Sequence, residues 1–383
     1  MVFKMKNINI FEPTIFIETR KILTKSLNDN QISTHSETII NQFEANISKI
    51  DGSKKTIALN SGSTALFISM KALGIKENDL VIMPSYTFVA TANAAVSNKA
   101  KPWFFDIEKN SITLDLDQVF NTLLKKTYKK GKFYYHKKTK QRVFAICPVY
   151  TLGFIPDLIK IKKISKKFNL KIVSDAACAL GSKYQNKKII KYSDAVCYSF
   201  NGNKSITSGG GGAVSTNNVN LAKKIQLLST NYKTGNYFHS DLGFNLRITG
   251  IHAALGLGQI KNFKKIENIK SKIYHKYLSF IKKNNLNTFY PQKNTKHIQW
   301  LNFLILKNNI KKNILLKAKR NKINLNYFWM PMHLQPYLKK NLKESLSNTQ
   351  FIWRKILVLP SSLHLSKREF DKTFKFLEKI KKY

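Results

Sequence analysis

The sequence has 383 residues, 43% of them hydrophobic, and a formal net charge of +45. The length favours one large and one smaller domain, and no apolar run approaches the roughly 18–20 residues of a membrane-spanning helix. The N-terminal residues lack the apolar segment of a secretory signal. We therefore expect no membrane partner.

The basic charge is spread along the whole chain and is not concentrated on one arm or tail. This pattern indicates a lysine-rich composition and no specific nucleic-acid surface. Any nucleic-acid binding should be independent of sequence and should weaken steeply with salt, because it would depend on counterion release. Cys147, Cys178 and Cys197 lack metal-ligand spacing, so we expect no metal and reduced thiols in a cytoplasmic protein.

Strand and helix patterns alternate through the first two thirds of the chain, after an N-terminal helical segment at residues 1–50. Strands are predicted at "KTIALN", "DLVIMP", "KPWFFD", "RVFAICPV", "KIVSDA" and "DAVCYSF". Helices are predicted at "STALFISMKALGI", "FVATANAAVSN" and "IPDLIKIKKISKKFN". This β-α-β order predicts an α/β fold with a mostly parallel sheet covered by helices on both faces. The basic stretch "KKGKFYYHKKTKQ" could be a solvated hairpin.

The pattern changes near Ile251, where one or two long helices are predicted. A strand at "HIQWLNFLIL", a helix at "NILLKAKRNKI" and a closing helix at "KREFDKTFKFLEKIKK" follow. We predict a large domain over residues 1–259 and a smaller α+β domain over residues 260–383.

Three motifs carry unusual residues where a strand ends, which is where open α/β sheets build their sites. "LNSGSTAL" places Gly62 and Ser63 at a helix start that could bind phosphate, although an ordinary helix cap explains it equally well. Asp175 ends the apolar strand of "VSDAAC", where it needs a partner, a cap or a cation. Lys204 in "SFNGNK" follows Ser199 and stands apart from the lysine runs, although a solvated lysine is the simplest alternative.

These motifs together fit one cofactor. Pyridoxal phosphate (PLP) needs a phosphate site, a carboxylate for its pyridinium nitrogen and an amine for its aldehyde. Lysines in cavities form such Schiff bases when their amine is deprotonated.

The chain resembles the nucleotide-sugar aminotransferases of the DegT/StrS type over nearly its whole length. The matching motifs are "NQISTHSETIINQFE", "NSGSTAL", "PSYTFVATANA", "SDAACALGS", "YSFNGNKSITSGGGG", "DLGFNLRITGIHAALGLGQI", "WMPMHLQP" and "LPSSLHLS". The resemblance implies a fold-type I PLP-dependent transferase with a sheet of the seven-stranded type. "SFNGNK", the glycine run and "PMHLQP" with "LPSS" are most similar to enzymes that aminate UDP-4-keto-6-deoxy-N-acetylhexosamines.

The resemblance also implies roles for single residues. Lys204 matches the Schiff-base lysine and Asp175 the carboxylate that keeps the pyridine nitrogen protonated. Phe88 matches the aromatic residue that stacks on the cofactor ring, although the sequence alone would favour a core phenylalanine. Three residues match the family's contacts with the cofactor phosphate, namely Gly62, Ser63 and Ser199.

Two further matches lie later in the chain. Asn245 matches an asparagine that reaches the phosphate of the neighbouring subunit's cofactor, which would make a homodimer obligatory. His333 matches a histidine near the sugar pocket, although a surface or core histidine is nearly as good an explanation. Ser174, Cys178 and a glycine in the "GGGG" run depart from the family pattern, which leaves the tuning near the cofactor ring open.

The implied activity is transfer of an amino group, with L-glutamate as the donor, to a nucleotide-linked 4-keto-6-deoxy sugar for polysaccharide or glycan biosynthesis. Related dehydratases carry histidine in place of the lysine, so Lys204 speaks against that alternative. A DNA-binding regulator would need an added domain, and residues 1–50 lack its pattern. An inactive partner subunit is the third alternative, and the intact Lys204, Asp175 and Ser199 argue against it.

Overall fold

The computed structural model of the protein describes residues 7–380. The helices are α1 Ile17–Asn28, α2 Glu37–Asp51, α3 Gly62–Leu73, α4 Val89–Ser97, α5 Leu116–Lys126, α6 Leu158–Phe168, α7 Val219–Ser229, α8 Gly250–Lys261, α9 Phe263–Lys283, α10 Lys312–Arg320, α11 Ser347–Ile352 and α12 Lys367–Ile380. The strands are β1 Lys55–Leu59, β2 Leu80–Pro84, β3 Lys101–Phe105, β4 Thr127–Lys130, β5 Phe133–His136, β6 Arg142–Ile146, β7 Lys171–Asp175, β8 Lys183–Tyr184, β9 Lys187–Lys188, β10 Ala195–Ser199, β11 Gly212–Thr216, β12 Thr295–Lys296, β13 Asn302–Ile305, β14 Asn326–Tyr327, β15 Leu342–Lys343 and β16 Ile356–Leu359.

The main sheet has the strand order β1-β11-β10-β7-β6-β2-β3-β15. Its central pairs β10–β7, β7–β6, β6–β2 and β2–β3 are parallel, while β11 runs antiparallel to both β10 and β1. The predicted mostly parallel α/β sheet is thus confirmed. Strand β11 and helix α7 were not predicted, because the glycine run before them hides the apolar pattern.

Helices cover both faces of this sheet. Along β2, Leu80 and Ile82 belong to one core and Val81 and Met83 to the other. Residues of α2, α5, α6 and α8 fill the first core, and residues of α3, α4 and α7 fill the second. Alternation within a strand buried on both sides explains why these segments are nearly continuous apolar runs.

The basic stretch before β6 forms the predicted hairpin, in which β4 pairs antiparallel with β5. Within the N-terminal segment, α1 and α2 both pack against α8. Residues 1–6 of that segment lie outside the described part of the chain. Between residues 7 and 380, no helix is both long and apolar enough to cross a membrane.

The last third of the chain builds a separate core beside the large sheet. Strands β13, β16 and β14 form a small antiparallel sheet, against which α9, α10 and α12 pack. One further core is shared, since Tyr86 and Phe154 pack with Trp300 and Phe303. The predicted domain boundary after residue 259 falls close to the junction of α8 and α9, and it stays a prediction.

Candidate active site

A cavity of about 360 Å³ lies beyond the ends of the parallel strands. It brings together residues that are far apart in sequence. The predicted site residues on its wall are Gly62, Ser63, Phe88, Asp175, Ser199 and Lys204.

Asp175 ends β7 and is only 5% exposed. Its Oδ2 accepts a hydrogen bond of 2.7 Å from the hydroxyl of Thr91, and its Oδ1 accepts one of 3.2 Å from the N–H of Ala177. No ion pair in the described part of the chain joins it to a basic side chain, and burial raises the pKa of its carboxyl. A buried carboxylate facing a cavity fits a cationic ring nitrogen, which would favour its ionised form.

The phosphate-binding candidate is the start of α3. Ser61 is the N-cap residue, whose hydroxyl accepts the N–H of Thr64 at 3.1 Å, so Gly62 and Ser63 are not needed for capping. The first N–H groups of a helix have no acceptor within the helix and attract anions. The carbon of a side chain at Gly62 would lie 2.7 Å from Cβ of Ser199, so glycine lets the end of β10 lie against the helix start.

The glycine run passes directly behind this helix start. Gly210 and Gly211 line the cavity, and Gly209 has a φ of +78°. A Cβ on Gly212 would lie 2.4 Å from the carbonyl carbon of Ser61. At Gly212, the main chain at the start of α3 therefore leaves no room for a side chain.

Lys204 sits in the turn after β10, where its N–H donates to the carbonyl of Asn201 at 2.9 Å. Its Nζ donates to Sγ of Cys178 at 3.3 Å and lies 3.9 Å from the ring centroid of Trp300. Burial raises the pKa of the Cys178 thiol, and the positive charge of Lys204 opposes this shift. Cys178, which departs from the family pattern, thus contacts the predicted Schiff-base lysine directly.

An aromatic wall faces these polar groups. Trp300 and Trp329 line the cavity, and the ring of Trp329 lies 5.7 Å from the ring of Phe88, which is half exposed. The sequence analysis assigned no role to either tryptophan or to Thr91. Trp329 lay within the recognised "WMPMHLQP" motif, whereas nothing in the pattern around Trp300 separated it from a strand residue.

Asn245 and His333 are not on the cavity wall of this chain. Asn245 is exposed and forms an isolated bridge with Thr230. His333 is 4% exposed, with its Nδ1 at 2.7 Å from Oγ of Ser85, and burial lowers its pKa. Nε2 of His333 is buried without a hydrogen-bond partner. The roles expected for both residues stay predictions.

Residues 14–378 match the sequence profile of the DegT/DnrJ/EryC1/StrS aminotransferase family. The chain belongs to this family. A relative is the UDP-4-amino-4,6-dideoxy-N-acetyl-beta-L-altrosamine transaminase of Campylobacter jejuni, 32% identical over 94% of this chain and 95% of that protein. GDP-perosamine synthase of Vibrio cholerae is 28% identical over 89% of this chain and 91% of its own length.

The fold agrees with this assignment. The Helicobacter pylori aminotransferase PseC, involved in the biosynthesis of pseudoaminic acid, superposes with a TM-score of 0.86 at 23% identity, over 98% of this chain and all of the other. This protein is therefore a sugar aminotransferase with the fold-type I architecture, and its cofactor is PLP. The resemblance, the fold class, the enzyme class and the cofactor expected from the sequence are confirmed.

Proposed function

We propose that the protein transfers an amino group from L-glutamate to a nucleotide-linked 4-keto-6-deoxy sugar for surface polysaccharide or glycan biosynthesis. The observation that carries this proposal is the single cavity shared by Lys204, Asp175 and the helix start at Gly62. The two relatives, a transaminase and a perosamine synthase, support an amino-sugar product. The unpaired cysteines support a cytoplasmic location.

Each side chain has a defined task in this proposal. Bound PLP would supply an electron sink for the carbon from which the donor loses a proton. Asp175 would hold the ring nitrogen in its charged form, and the helix start with Ser199 would bind the phosphate. Phe88 would pack on the ring. The amine of Lys204 would bind the cofactor between turnovers. It would take a proton from the donor carbon in the first half-reaction and would deliver a proton to the sugar carbon in the second.

The retained lysine also separates transamination from dehydration. A dehydratase of this family would remove a hydroxyl group from the sugar and would leave no amino group on it. The test offers L-glutamate with a panel of UDP-, GDP- and dTDP-linked 4-keto-6-deoxy sugars and measures both 2-oxoglutarate and product mass. We expect equal amounts of 2-oxoglutarate and amino sugar, with UDP-linked N-acetylhexosamines as the best acceptors. A sugar product that has lost water and carries no amino group would contradict the proposal.

We further propose that two copies share each active site through Asn245. This residue is exposed, is absent from its own chain's cavity wall, and follows a segment with the exposed apolar residues Tyr237, Phe238 and Leu242. In a two-fold dimer, such a segment can reach the cavity of the other copy. Asn245→Asp would repel the phosphate, and Lys204→Ala would remove the reactive amine.

Mixing the two inactive variants tests this arrangement. A mixed dimer has one site with both lesions and one with neither, so activity should return to at most about half of the mixed-dimer sites. Native mass spectrometry of the mixture verifies subunit exchange. If the exchanged mixture remains inactive, Asn245 acts within its own chain; if Asn245→Asp is active by itself, Asn245 has no essential role.

A further inference from the structure

Lys270 is a lysine whose side chain is almost completely buried. It lies in α9, is 1% exposed, and takes part in none of the ion pairs found in the described part of the chain. Its Nζ lies 4.8 Å from the ring centroid of Phe11. Burial lowers the pKa of its amine to about 7. Burying an ammonium group without a carboxylate costs free energy. Methionine would fill a similar space without this cost, but it could not donate the hydrogen bonds that Lys270 forms.

The amine of Lys270 joins two separate segments. It donates one hydrogen bond of 2.8 Å to the carbonyl of Trp300 and one of 2.8 Å to the carbonyl of Ser361. Trp300 precedes β13 and Ser361 follows β16, two strands that pair with each other. The hydroxyl of Ser361 accepts the N–H of Asn302 at 2.8 Å, so both segments meet at the same place. Lys270 therefore fixes the position of the Trp300 main chain.

Trp300 is also held at two other points. Its N–H donates to the carbonyl of Leu152 at 3.2 Å, and its indole Nε1 donates to the carbonyl of Asn203 at 2.6 Å. Asn203 immediately precedes Lys204 in the chain. The indole face, at 3.9 Å from Nζ of Lys204, is thus set by contacts on three sides. An aromatic face at this distance stabilises an ammonium and excludes reagents from one side of it.

We propose that Lys270 is a positioning residue, which through the carbonyl of Trp300 holds the indole ring against the Lys204 amine whenever that amine is free of the cofactor. The inference rests on the proposed role of Lys204. In that state the indole face keeps the amine inside the cavity and shields one side of it. Lys270 itself touches neither cofactor nor substrate.

The test measures the reactivity of the Lys204 amine, which does not depend on turnover. Full-length protein is prepared in two forms, one without cofactor and one loaded with pyridoxamine phosphate. Each form is treated with trace acetic anhydride. Peptide mass spectrometry then compares acetylation of Lys204 with that of exposed lysines in the same sample. The variants are Lys270→Met, Lys270→Arg and Trp300→Leu. Lys272→Met is the matched control, because Lys272 is an exposed lysine of the same helix.

Losing the cation–π contact should increase the relative acetylation rate of Lys204 by about two- to fivefold in Lys270→Met and in Trp300→Leu. The double variant should show no larger effect than either single variant, because both changes remove the same contact. Lys270→Arg, which retains a cation and donors, should restore most of the wild-type rate. Lys272→Met should equal the wild type.

Two results would overturn the proposal. One is a folded Lys270→Met protein in which Lys204 reacts at the wild-type rate, which would make Lys270 purely structural. The other is an unchanged rate in Trp300→Leu, which would refute the indole's effect. This variant keeps the carbonyl that Lys270 binds, so it remains informative if Lys270→Met does not fold. Acetylation needs no sugar substrate. The relative acetylation rate of Lys204 can therefore be interpreted even if the proposed transamination is not observed.

Discussion

The two sides of the cavity differ in chemistry and in the way the chain builds them. One side is polar and is built by strand ends and helix starts of the large sheet, with Asp175, Ser199, Lys204 and Gly62. The opposite side is aromatic and comes largely from the last third of the chain, where Trp300 and Trp329 stand on connecting segments.

This difference suggests that the two sides of the cavity have different functions. The polar side carries the residues that we propose to hold PLP, which lie at strand ends, at the start of α3 and in the turn after β10. The aromatic side offers flat apolar surfaces and is fixed by hydrogen bonds to main-chain carbonyls, as for Trp300. Changes on the polar side should therefore reduce the catalytic rate, whereas changes on the aromatic side should alter substrate binding and amine reactivity.

The largest effect is expected for Lys204→Ala. Turnover should fall below detection, because no other group on the cavity wall replaces the amine, while the melting temperature should stay close to that of the wild type. Borohydride reduction of the PLP-loaded wild type should label Lys204 alone, as shown by peptide mapping. Lys223→Ala, at an exposed lysine of α7, is the control. A label on another lysine would refute the assignment.

Asp175→Asn should lower kcat by about 10²- to 10³-fold, the scale of a lost preorganised electrostatic contact. The amide cannot keep the ring nitrogen charged, whereas the phosphate contacts at Ser199 remain. Steady-state kinetics and a PLP titration separate the two effects. Asp117→Asn, at an exposed carboxylate, serves as the control. A near-normal kcat would show that Asp175 is only a structural hydrogen-bond acceptor for Thr91 and Ala177.

Gly62→Ala should weaken PLP binding and stability together, by about 1–3 kcal/mol for an overpacked site. The added carbon would lie 2.7 Å from Cβ of Ser199, so the helix start and the end of β10 would have to separate. Gly202→Ala is a matched control, since its Cβ would meet nothing closer than 3.7 Å. Thermal unfolding and a PLP titration measure both quantities. If the two variants behave alike, this close approach does not shape the phosphate site.

The smallest effect is expected on the aromatic side, for Trp329→Ala. Losing one stacking surface should raise KM for the sugar nucleotide by about two- to tenfold, with little change in kcat. Trp329→Phe should recover most of the affinity. A fall in kcat with an unchanged KM would place Trp329 among the groups that assist the chemical step. It would contradict the proposed difference in function between the polar and the aromatic side.

Much of the polar side could be predicted from the sequence because its residues are local motifs. A carboxylate at the end of an apolar strand, a Gly-Ser helix start and an isolated lysine before a glycine run each differ from their surroundings. The parallel sheet then places the strand ends at one edge, so Asp175 and Ser199 had to lie near each other. The order of apolar strands and amphipathic helices likewise determined the α/β class.

The aromatic side and the positions of Asn245 and His333 depend on tertiary structure. Trp300 reads as one more strand residue, and only its contacts with Leu152, Asn203 and Lys270 turn it towards Lys204. These contacts join segments separated by dozens to more than a hundred residues, and no local pattern encodes such a distance. The sequence by itself determined which groups could perform the chemistry, whereas the packing of the last third against the large sheet decided what faces them, because long-range contacts are set by the shapes of whole elements.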